Sequence, residues 1–424
     1  MTSNAGKNEI FVWIWLPGAT TPVVAGKLTK LDQRVIFTYG QSYLNNPTAI
    51  PIYDKELPLE TGPQEKRFGT EAMPGCIRDA APDAWGRRVI LNKLLGAKGK
   101  TVDSGVLDEF TYLTESGSDR IGGLDFQASP KTYQPRLASQ ASLDELRRSA
   151  ELIEKGELLT PELAQAINHG TSIGGARPKA LLNDDQAKYI AKFSSSTDQY
   201  NVIKAEFMAM RLAKRCGLNV ATVKLAKASG KDVLLIERFD RELRNNGWTR
   251  KLMLSALTLL GLDEMTPHYA SYEDLAELIR HRFTNPKETL QEMFKRMVFN
   301  ILCGNTDDHA RNHAAFWDGK HLTLTPAYDL CPQMRQGGEA SQAMTIAGND
   351  RSSRLITCLD SAKNFMLSDA QARQIIDAQI RCIKEHWEAV CEEANLPPMD
   401  RALFKERLFL NNYAFEHYQT SSQN

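Results

Sequence analysis

The chain has 424 residues, enough for about three domains of ordinary size. Its hydrophobic content of 42% and charged content of 25% are typical of soluble globular proteins. The 52 basic and 52 acidic side chains cancel, which excludes a global field that would draw the protein onto DNA or a membrane. Nucleic-acid contact would therefore need a local patch or a partner. The small basic groups at residues 280–282 and 295–296 are interpreted as solvated helix faces.

The cysteines and the N-terminus indicate the compartment. The seven cysteines are scattered, and no two of them have C-x-x-C spacing. This usage favours a reducing compartment and argues against structural disulfides or a zinc ribbon. The N-terminus lacks a charged region followed by a long apolar one, and no apolar run approaches the ~18 residues of a membrane span. We therefore expect a cytoplasmic protein.

The N-terminal third is expected to form a small antiparallel sheet. Three short runs rich in β-branched and aromatic residues, at 9–16, 22–28 and 33–39, are separated by turn residues. Residues 121–126 could return to this sheet as a further strand. A helix is predicted at about residues 83–95.

A polar, proline-containing stretch at residues 129–140 is a plausible domain boundary. Ser142 and Glu145 then form a capping box, which predicts a helix that runs to about Lys155. A second short helix is expected to begin at Thr160 and Pro161, since proline is favoured at the first helical position.

A glycine-containing segment follows at residues 170–179. Glycines allow a backbone to approach a phosphate and to direct N–H groups at it. The segment is neither a Walker A motif nor G-x-G-x-x-G, and taken alone it is better explained as a plain hairpin turn.

The next two predicted elements are a strand that carries a lysine and a helix that carries a glutamate. Residues 189–193 predict a strand that carries Lys192, and residues 201–216 predict a helix that ends at Gly217. Glu206 lies beside the apolar stripe of this helix. A buried carboxylate needs a partner, so we expect Glu206 to pair with Lys192. A solvent-facing lysine on a strand is the ordinary alternative.

Residues 220–227 and 232–239 predict two further strands. The second is apolar and then abruptly charged, which suits a buried strand that emerges into a hinge where backbone groups could bind an adenine. After Met253 the pattern is almost entirely helical, with only brief strand-like runs around residues 314–324. The helices are expected at residues 271–282, 288–303, 369–395 and 400–418.

A polar loop, residues 304–312, follows the amphipathic helix at 288–303. Asp307 and Asn312 have the D-x-x-x-x-N spacing of a kinase catalytic loop, in which the Asp accepts a proton and the Asn holds magnesium. Asp329 follows where a second magnesium ligand would be expected. The order of glycine loop, lysine strand, glutamate helix, hinge strand, D-x-x-x-x-N and Asp favours a kinase.

Two other interpretations of this loop remain. Asp, Asn and Gly are ordinary turn residues, so the loop taken alone is better explained as a solvated turn. His309 and His313 have the i, i+4 spacing of zinc ligands on a helix. A zinc protease would need Glu directly after the first His, and Ala310 is there instead.

Four segments together are similar to motifs of one family: residues 171–179 (TSIGGARPK), 236–241 (IERFDR), 305–312 (NTDDHARN) and 324–329 (LTPAYD). Over nearly its whole length the chain resembles the HipA family of serine/threonine kinase toxins from bacterial toxin–antitoxin systems. The resemblance implies an α+β, protein-kinase-like two-lobed fold that uses ATP and magnesium. It implies a β-rich N-terminal subdomain at residues 1–135, a kinase N-lobe with glycine-rich loop and hinge at 136–250, and an α-helical C-lobe at 251–424.

The resemblance also implies roles for individual residues. Asp307 would be the catalytic base, with Asn312 and Asp329 as the other catalytic residues and the magnesium ligands. Ser172 would be the site of autophosphorylation, which ejects its loop and inactivates the enzyme. The residues expected to bind the nucleotide are Ser172, Ile173, Gly174, Gly175, Ala176, Lys179, Lys192, Glu206, Glu237, Phe239, His309 and Arg311.

Relatives of this kind phosphorylate aminoacyl-tRNA synthetases, cause growth arrest or persistence, and are held by a HipB-like helix-turn-helix antitoxin that also represses the operon. We expect the same substrate class and partner here, with operator DNA reached only through the antitoxin complex. Two departures from ordinary protein kinases are Thr306, in place of the arginine of H-R-D, and Leu330 with Cys331, in place of Phe-Gly. A small-molecule kinase and a pseudokinase co-repressor are the alternatives.

Overall fold

The computed structural model describes residues 8–31, 34–65, 73–96, 102–137, 141–167, 175–184, 186–335 and 337–420. The chain forms two compact units. Unit 1 contains Met1–Gln199, Ala226–Leu254 and Phe316–Lys320, and unit 2 contains Tyr200–Leu225, Ser255–Ala315 and His321–Asn424.

The strands and helices alternate along the first half of the chain, and helices dominate the second. The strands are β1 (Glu9–Ile14), β2 (Val23–Leu31), β3 (Arg34–Tyr39), β4 (Pro63–Gln64), β5 (Leu124–Gln127), β6 (Lys179–Asn183), β7 (Lys188–Phe193), β8 (Val223–Ala228), β9 (Lys231–Glu237), β10 (Arg241–Arg244), β11 (Gly247–Arg250), β12 (Leu252–Ser255), β13 (Ala314–Trp317) and β14 (Leu322–Leu324). The helices are α1 (Gln41–Leu44), α2 (Gly75–Arg78), α3 (Ala84–Leu95), α4 (Glu109–Glu115), α5 (Leu143–Lys155), α6 (Pro161–Ile167), α7 (Val202–Arg215), α8 (Ala256–Leu259), α9 (Tyr272–Arg282), α10 (Pro286–Leu302), α11 (Leu355–Asp360), α12 (Asp369–Glu393) and α13 (Pro398–Arg407).

The N-terminal sheet of unit 1 confirms the predicted strands. Its order is β4-β3-β2-β1-β5, and β1 pairs antiparallel with both β2 and β5. The predicted return strand begins at Leu124 because Gly122, with φ +79°, and Gly123 form a turn before it. Gly26 allows β2 and β3 to approach closely, since a Cβ there would lie 2.2 Å from the carbonyl oxygen of Thr38.

The second sheet of unit 1 has the order β6-β7-β9-β8. The predicted capping box of Ser142 and Glu145 opens α5, and Gly156 ends that helix in the left-handed conformation. One apolar cluster packs α3 and α5 against this sheet: Trp85, Val89, Leu146, Ala150, Ile153, Ile167, Ala180, Ala191, Phe193, Ala228 and Val233. The division into three domains at residues 135 and 250 stays a prediction.

Unit 2 is mainly helical. Helix α10 packs against α9, α11 and α12, and α12 packs against α7. The apolar stripe predicted for α10 is buried, and so are residues outside it, among them Asn300 and Arg296. No helix in the described part of the chain is long and apolar enough to cross a membrane.

Two predictions of local structure were wrong, and one element was not predicted. The helix expected at residues 400–418 ends at Arg407, because Leu410 adopts φ +53° and donates its N–H to the carbonyl of Leu302 at 2.8 Å. Residues after the hinge form a hairpin, β10–β11, which the charged sequence did not indicate. Arg296 is not solvated: its side chain is 2% exposed, pairs with Glu292 at 3.0 Å and donates to the carbonyl of Thr325 at 2.8 Å.

Candidate active site

The polar loop after α10 is anchored by glycine and asparagine. Gly304 has φ +72°, and a Cβ there would lie 2.4 Å from the carbonyl oxygen of Leu408, so a larger residue cannot take this position without a shift of the backbone. The buried amide of Asn305 donates to Oδ1 of Asn300 at 2.9 Å and to the carbonyl oxygen of Asp329 at 3.4 Å. Asn305 therefore ties the loop to the segment that carries Asp329.

Asp307, Asn312 and Asp329 lie together in unit 2. The Asn312 amide donates to the carbonyl oxygen of Asp307 at 3.3 Å, and the Tyr328 hydroxyl donates to the carbonyl of Arg311 at 2.7 Å. Partial burial raises the pKa of the Asp307 carboxyl; His309 opposes the rise, and the negative charges of Asp329 and Asp308 add to it. Asn305, which donates to the carbonyl oxygen of Asp329, links that residue to the loop that carries Asp307 and Asn312.

Asp308 has a different environment from its neighbour Asp307. Asp307 is partly exposed, whereas Asp308 is buried and accepts a hydrogen bond from the hydroxyl of Tyr272, at the start of α9. Nε2 of His313 lies 3.1 Å from the same carboxylate oxygen. Burial and Asp308 raise the pKa of Tyr272 well above its ordinary value, so Tyr272 remains a donor. The bonds of Asp308 to Tyr272 and His313 hold the loop in place, and Asp307 lies on the surface of the loop.

The residue types in this cluster suit magnesium better than zinc. Magnesium prefers oxygen ligands and is usually held by one or two side chains together with water and phosphate oxygens. The bond from the Asn312 amide nitrogen leaves its amide oxygen as the acceptor, and two carboxylates that repel one another favour a bound cation. Among the described residues no group of three His, Cys, Asp or Glu could hold a metal, and His313 faces Asp308. The zinc interpretation of His309 and His313 gains no support.

Asp329 has an unusual backbone. Its φ is +59°, a conformation that non-glycine residues rarely adopt and that recurs at functional sites. Asn305 donates to its carbonyl group, as described above, and the N–H and carbonyl of Ala327 bond to Asn219 and Ala221 in the segment after α7. The loop contacts on both sides hold the strained residue.

Two lysines of unit 1 lie side by side in the second sheet. Lys179 of β6 and Lys192 of β7 are directly opposite in the antiparallel register, so their side chains leave the same face of the sheet. Both residues are buried, with 4% and 7% of their surface exposed. Two lysines on one face of the sheet favour an anionic ligand such as a phosphate. Glu206 is buried on α7, and its pairing with Lys192 stays a prediction.

The glycine-containing segment is described only from Gly175 onward, so Ser172, Ile173 and Gly174 lie outside the described residues. Gly175 has φ +100°, and a Cβ there would lie 2.4 Å from Nζ of Lys179. Its N–H donates to Asp83 at 2.7 Å. Ala176 is exposed.

The hinge predicted at residues 237–239 begins at Glu237, the last residue of β9. The N–H of Arg238 donates to the carbonyl of Lys188 at 2.7 Å. Because the backbone groups of successive strand residues face opposite sides, those of Glu237 face away from β7. Phe239 lies in the turn that follows, and the contact of both residues with an adenine stays a prediction. The ring of Phe239 packs edge-on against Phe316, with 6.0 Å between centroids.

The first three charged residues after β9, Arg238, Asp240 and Arg241, are buried, which their sequence did not indicate. Arg238 and Arg241 share the carboxylates of Asp240 and Asp119, with closest N–O distances of 2.8–3.1 Å. Lys188 also pairs with Asp119, at 2.7 Å. Burial by itself raises the pKa of Asp119, but these cations hold that pKa well below its ordinary value. Asp119 lies in a loop without a recognisable motif, so the sequence did not indicate its part in this charge network.

Comparison with known proteins assigns the family. Residues 171–387 match the model of the HipA-like C-terminal domain, and residues 15–127 match the model of the HipA N-terminal domain. The chain belongs to the HipA family.

Individual HipA-family relatives are distant. Y4mE of Sinorhizobium fredii is 26% identical over 324 residues, which cover 69% of this chain and 71% of that protein. The serine/threonine-protein kinase toxin HipA of Shewanella oneidensis is 28% identical over 202 residues, which cover 41% of this chain and 46% of the toxin. The match thus spans less than half the length of that toxin.

This chain has the same fold as a chain in a solved complex of HipA, HipB and operator DNA from the Shewanella oneidensis MR-1 toxin–antitoxin system. The TM-score is 0.64 at 20% identity, over 96% of each chain. The predicted α+β, kinase-like HipA fold is therefore confirmed. Within it, the described structure brings Asp307, Asn312 and Asp329 together in unit 2. It brings Gly175, Lys179 and Lys192 together in unit 1.

His309 and Arg311 lie in the same HipA-family loop as Asp307. His309 precedes the 3-10 turn Ala310–Asn312 and opposes the burial that raises the pKa of Asp307. Arg311 forms an ion pair with Glu264 at 2.6 Å. Their contact with a nucleotide stays a prediction.

Proposed function

We propose that this HipA-family chain is a serine/threonine protein kinase that depends on ATP and magnesium. The observation that carries the proposal is the cluster of Asp307, Asn312 and Asp329, in which one partly exposed carboxylate lies beside an amide oxygen and a second carboxylate, groups of the kind that bind magnesium. Loop anchoring by Asn305 and Asp308 supports it, because phosphoryl transfer depends on precise positioning.

The chain's residues would divide the chemistry in the following way. Asn312 and Asp329 would hold the magnesium ion, which offsets negative charge on the phosphates when it is bound. Lys179 and Lys192 would hold the phosphates of ATP. Asp307 would accept the proton of the substrate hydroxyl. The oxygen of that hydroxyl would bond to the γ-phosphorus of ATP, and the bond between the γ-phosphorus and the bridging oxygen would break to release ADP. General bases typically contribute about 10²–10⁴-fold to such rates.

We further propose that the substrate is a protein of the translation apparatus, of the aminoacyl-tRNA synthetase class, and that phosphorylation leads to growth arrest or persistence in the cytoplasm. A HipB-like helix-turn-helix antitoxin would neutralise the kinase. HipA and HipB occur together with operator DNA in the Shewanella complex, which supports this partner. The zero net charge of the chain supports DNA contact through the antitoxin alone.

Self-inactivation at Ser172 completes the proposal. A phosphoserine adds about −1.5 to −2 charge, at a position that the family motif assigns to the ATP phosphates. The repulsion would drive the segment out of the site. The neighbouring lysines at 179 and 192 support a phosphate site at this end of the sheet.

Radiolabelled ATP tests the proposal. The purified protein, with magnesium and host lysate, should label a protein band that mass spectrometry identifies, and Asp307→Asn should reduce labelling by about 10²-fold or more while it folds normally. Asp360→Asn, a change at an exposed aspartate at the end of α11, is the matched control and should label normally. Label only in small molecules would refute the protein substrate, and no transfer by the wild type would refute the kinase.

A further inference from the structure

Asp83 occupies a position that usually caps a helix, yet it does not cap one. It precedes α3 in an extended conformation, and its side chain makes no capping bond to that helix. Aspartate is among the preferred residues at this position because its carboxylate accepts the free N–H groups of the first turn. Asp108, in the same position before α4, does accept the N–H of Thr111 at 3.0 Å. The carboxylate of Asp83 is used elsewhere.

Asp83 instead binds the glycine-containing segment. Its Oδ2 accepts the N–H of Gly175 at 2.7 Å, and the N–H of Trp85 donates to the carbonyl of Gly175 at 3.2 Å. Nε1 of the buried Trp85 donates to the carbonyl of Lys179 at 2.9 Å. Three hydrogen bonds therefore connect Asp83 and Trp85, at the start of α3, to Gly175 and Lys179, the two residues on either side of residues 176–178.

These bonds fix the backbone beside the lysine ammonium. Nζ of Lys179 occupies the space that a Cβ of Gly175 would fill. Glycine loses more conformational freedom on ordering than any other residue, so the position of Gly175 depends on the groups that bind it. The bond to Asp83 is charge-assisted, and such bonds are about twice as strong as neutral ones.

We propose that Asp83 is a positioning residue for the nucleotide phosphates, which acts by holding Gly175 against Lys179. The inference rests on the proposed function and extends it to a residue of the segment before the kinase motifs. Since the N–H of Gly175 is occupied by Asp83, Gly175 contributes through the placement of Lys179 rather than through its own N–H.

Direct binding measurements test this role without knowledge of the protein substrate. Magnesium–ATP and adenosine are titrated separately into the full chain, as wild type, Asp83→Ala, Asp83→Asn and Asp108→Ala. Asp83→Ala should weaken ATP binding by about tenfold, the effect of one charge-assisted hydrogen bond, and leave the affinity for adenosine unchanged. Asp83→Asn keeps an acceptor oxygen and should fall between wild type and Asp83→Ala. Asp108→Ala removes a helix cap in the same unit and should bind ATP as the wild type does.

The outcomes separate the two proposals. If the wild type binds no magnesium–ATP, the proposed function fails. If the wild type binds it and Asp83→Ala binds it equally well or more tightly, the positioning role is refuted. Equal losses for ATP and adenosine would also refute it, since they would indicate general destabilisation, which thermal unfolding of Asp83→Ala and Asp108→Ala would reveal independently.

Discussion

The buried charge network behind the hinge offers the strongest stability prediction. Asp119 accepts hydrogen bonds from Nη1 of Arg238 at 3.1 Å and from Nζ of Lys188 at 2.7 Å. It also accepts from Nε and Nη2 of Arg241, at 3.1 and 2.9 Å. The substitution Asp119→Ala would remove all of these acceptors and leave two guanidinium groups buried beside the single carboxylate of Asp240.

The loss of stability in Asp119→Ala depends on which hydrogen-bond acceptors the two arginines keep. A hydrogen bond to a charged group contributes about 1.5–3 kcal/mol, so simple addition of these bonds would overestimate the loss. Arg238 and Arg241 keep Asp240 and the carbonyl of Arg120 as acceptors. Removal of one partner from a buried ion pair typically costs about 3–5 kcal/mol, and we expect the free energy of unfolding to fall by this amount.

Urea unfolding monitored by tryptophan fluorescence measures this loss. Glu242→Ala is the matched control, because Glu242 pairs with Arg244 in the same strand, β10, and both of these side chains are about half exposed. Exposed pairs are worth about 0–1 kcal/mol, so the control should unfold nearly as the wild type does. A loss below about 1 kcal/mol for Asp119→Ala would refute the reasoning from burial.

The same network sets the response to acid. Burial opposes the shift, but Arg238 and Arg241 lower the pKa of Asp240 to about 2, and the pKa of Asp119 is also held low. A carboxyl group with a lowered folded-state pKa stabilises the fold above its unfolded pKa of about 3.9 and loses that contribution as the pH falls through the folded value. Wild-type stability should therefore fall between about pH 4 and pH 2, and Asp119→Ala should lose less over that range.

Two predictions concern the nucleotide site. Lys192→Ala should weaken magnesium–ATP binding, because it removes one of the two lysines that lie opposite each other in β6 and β7. Titration of magnesium–ATP into this variant and into Lys231→Ala, a change at an exposed lysine of β9, tests the prediction. Equal affinities of the two variants would contradict it. Ser172→Ala should remain active after incubation with magnesium and ATP, whereas the wild type should become phosphorylated at Ser172 and lose ATP affinity. Phosphosite mapping that finds Ser172 unmodified in an active preparation would refute self-inactivation at Ser172.

Much of the fold was predictable because its signals are local. The alternating runs at residues 9–39 became β1, β2 and β3, and the capping box at Ser142 opened α5 as expected. Spacing within one loop also anticipated that Asp307 and Asn312 would lie together. The helix predicted to continue to residue 418 failed because the backbone of Leu410 is held by Leu302, which no local pattern encodes.

The sequence by itself determined the family, the strands and helices with strong periodicity, and the residue types of the catalytic loop. Only the tertiary structure decided the partners of its buried charges. Asp119 and Arg238 are 119 residues apart in the chain, and Asp83 and Gly175 are 92 apart. Periodicity reports which face of an element is buried but carries no information about which distant polar group meets it there. Burial makes such partners obligatory, and the folded chain alone shows which residues they are.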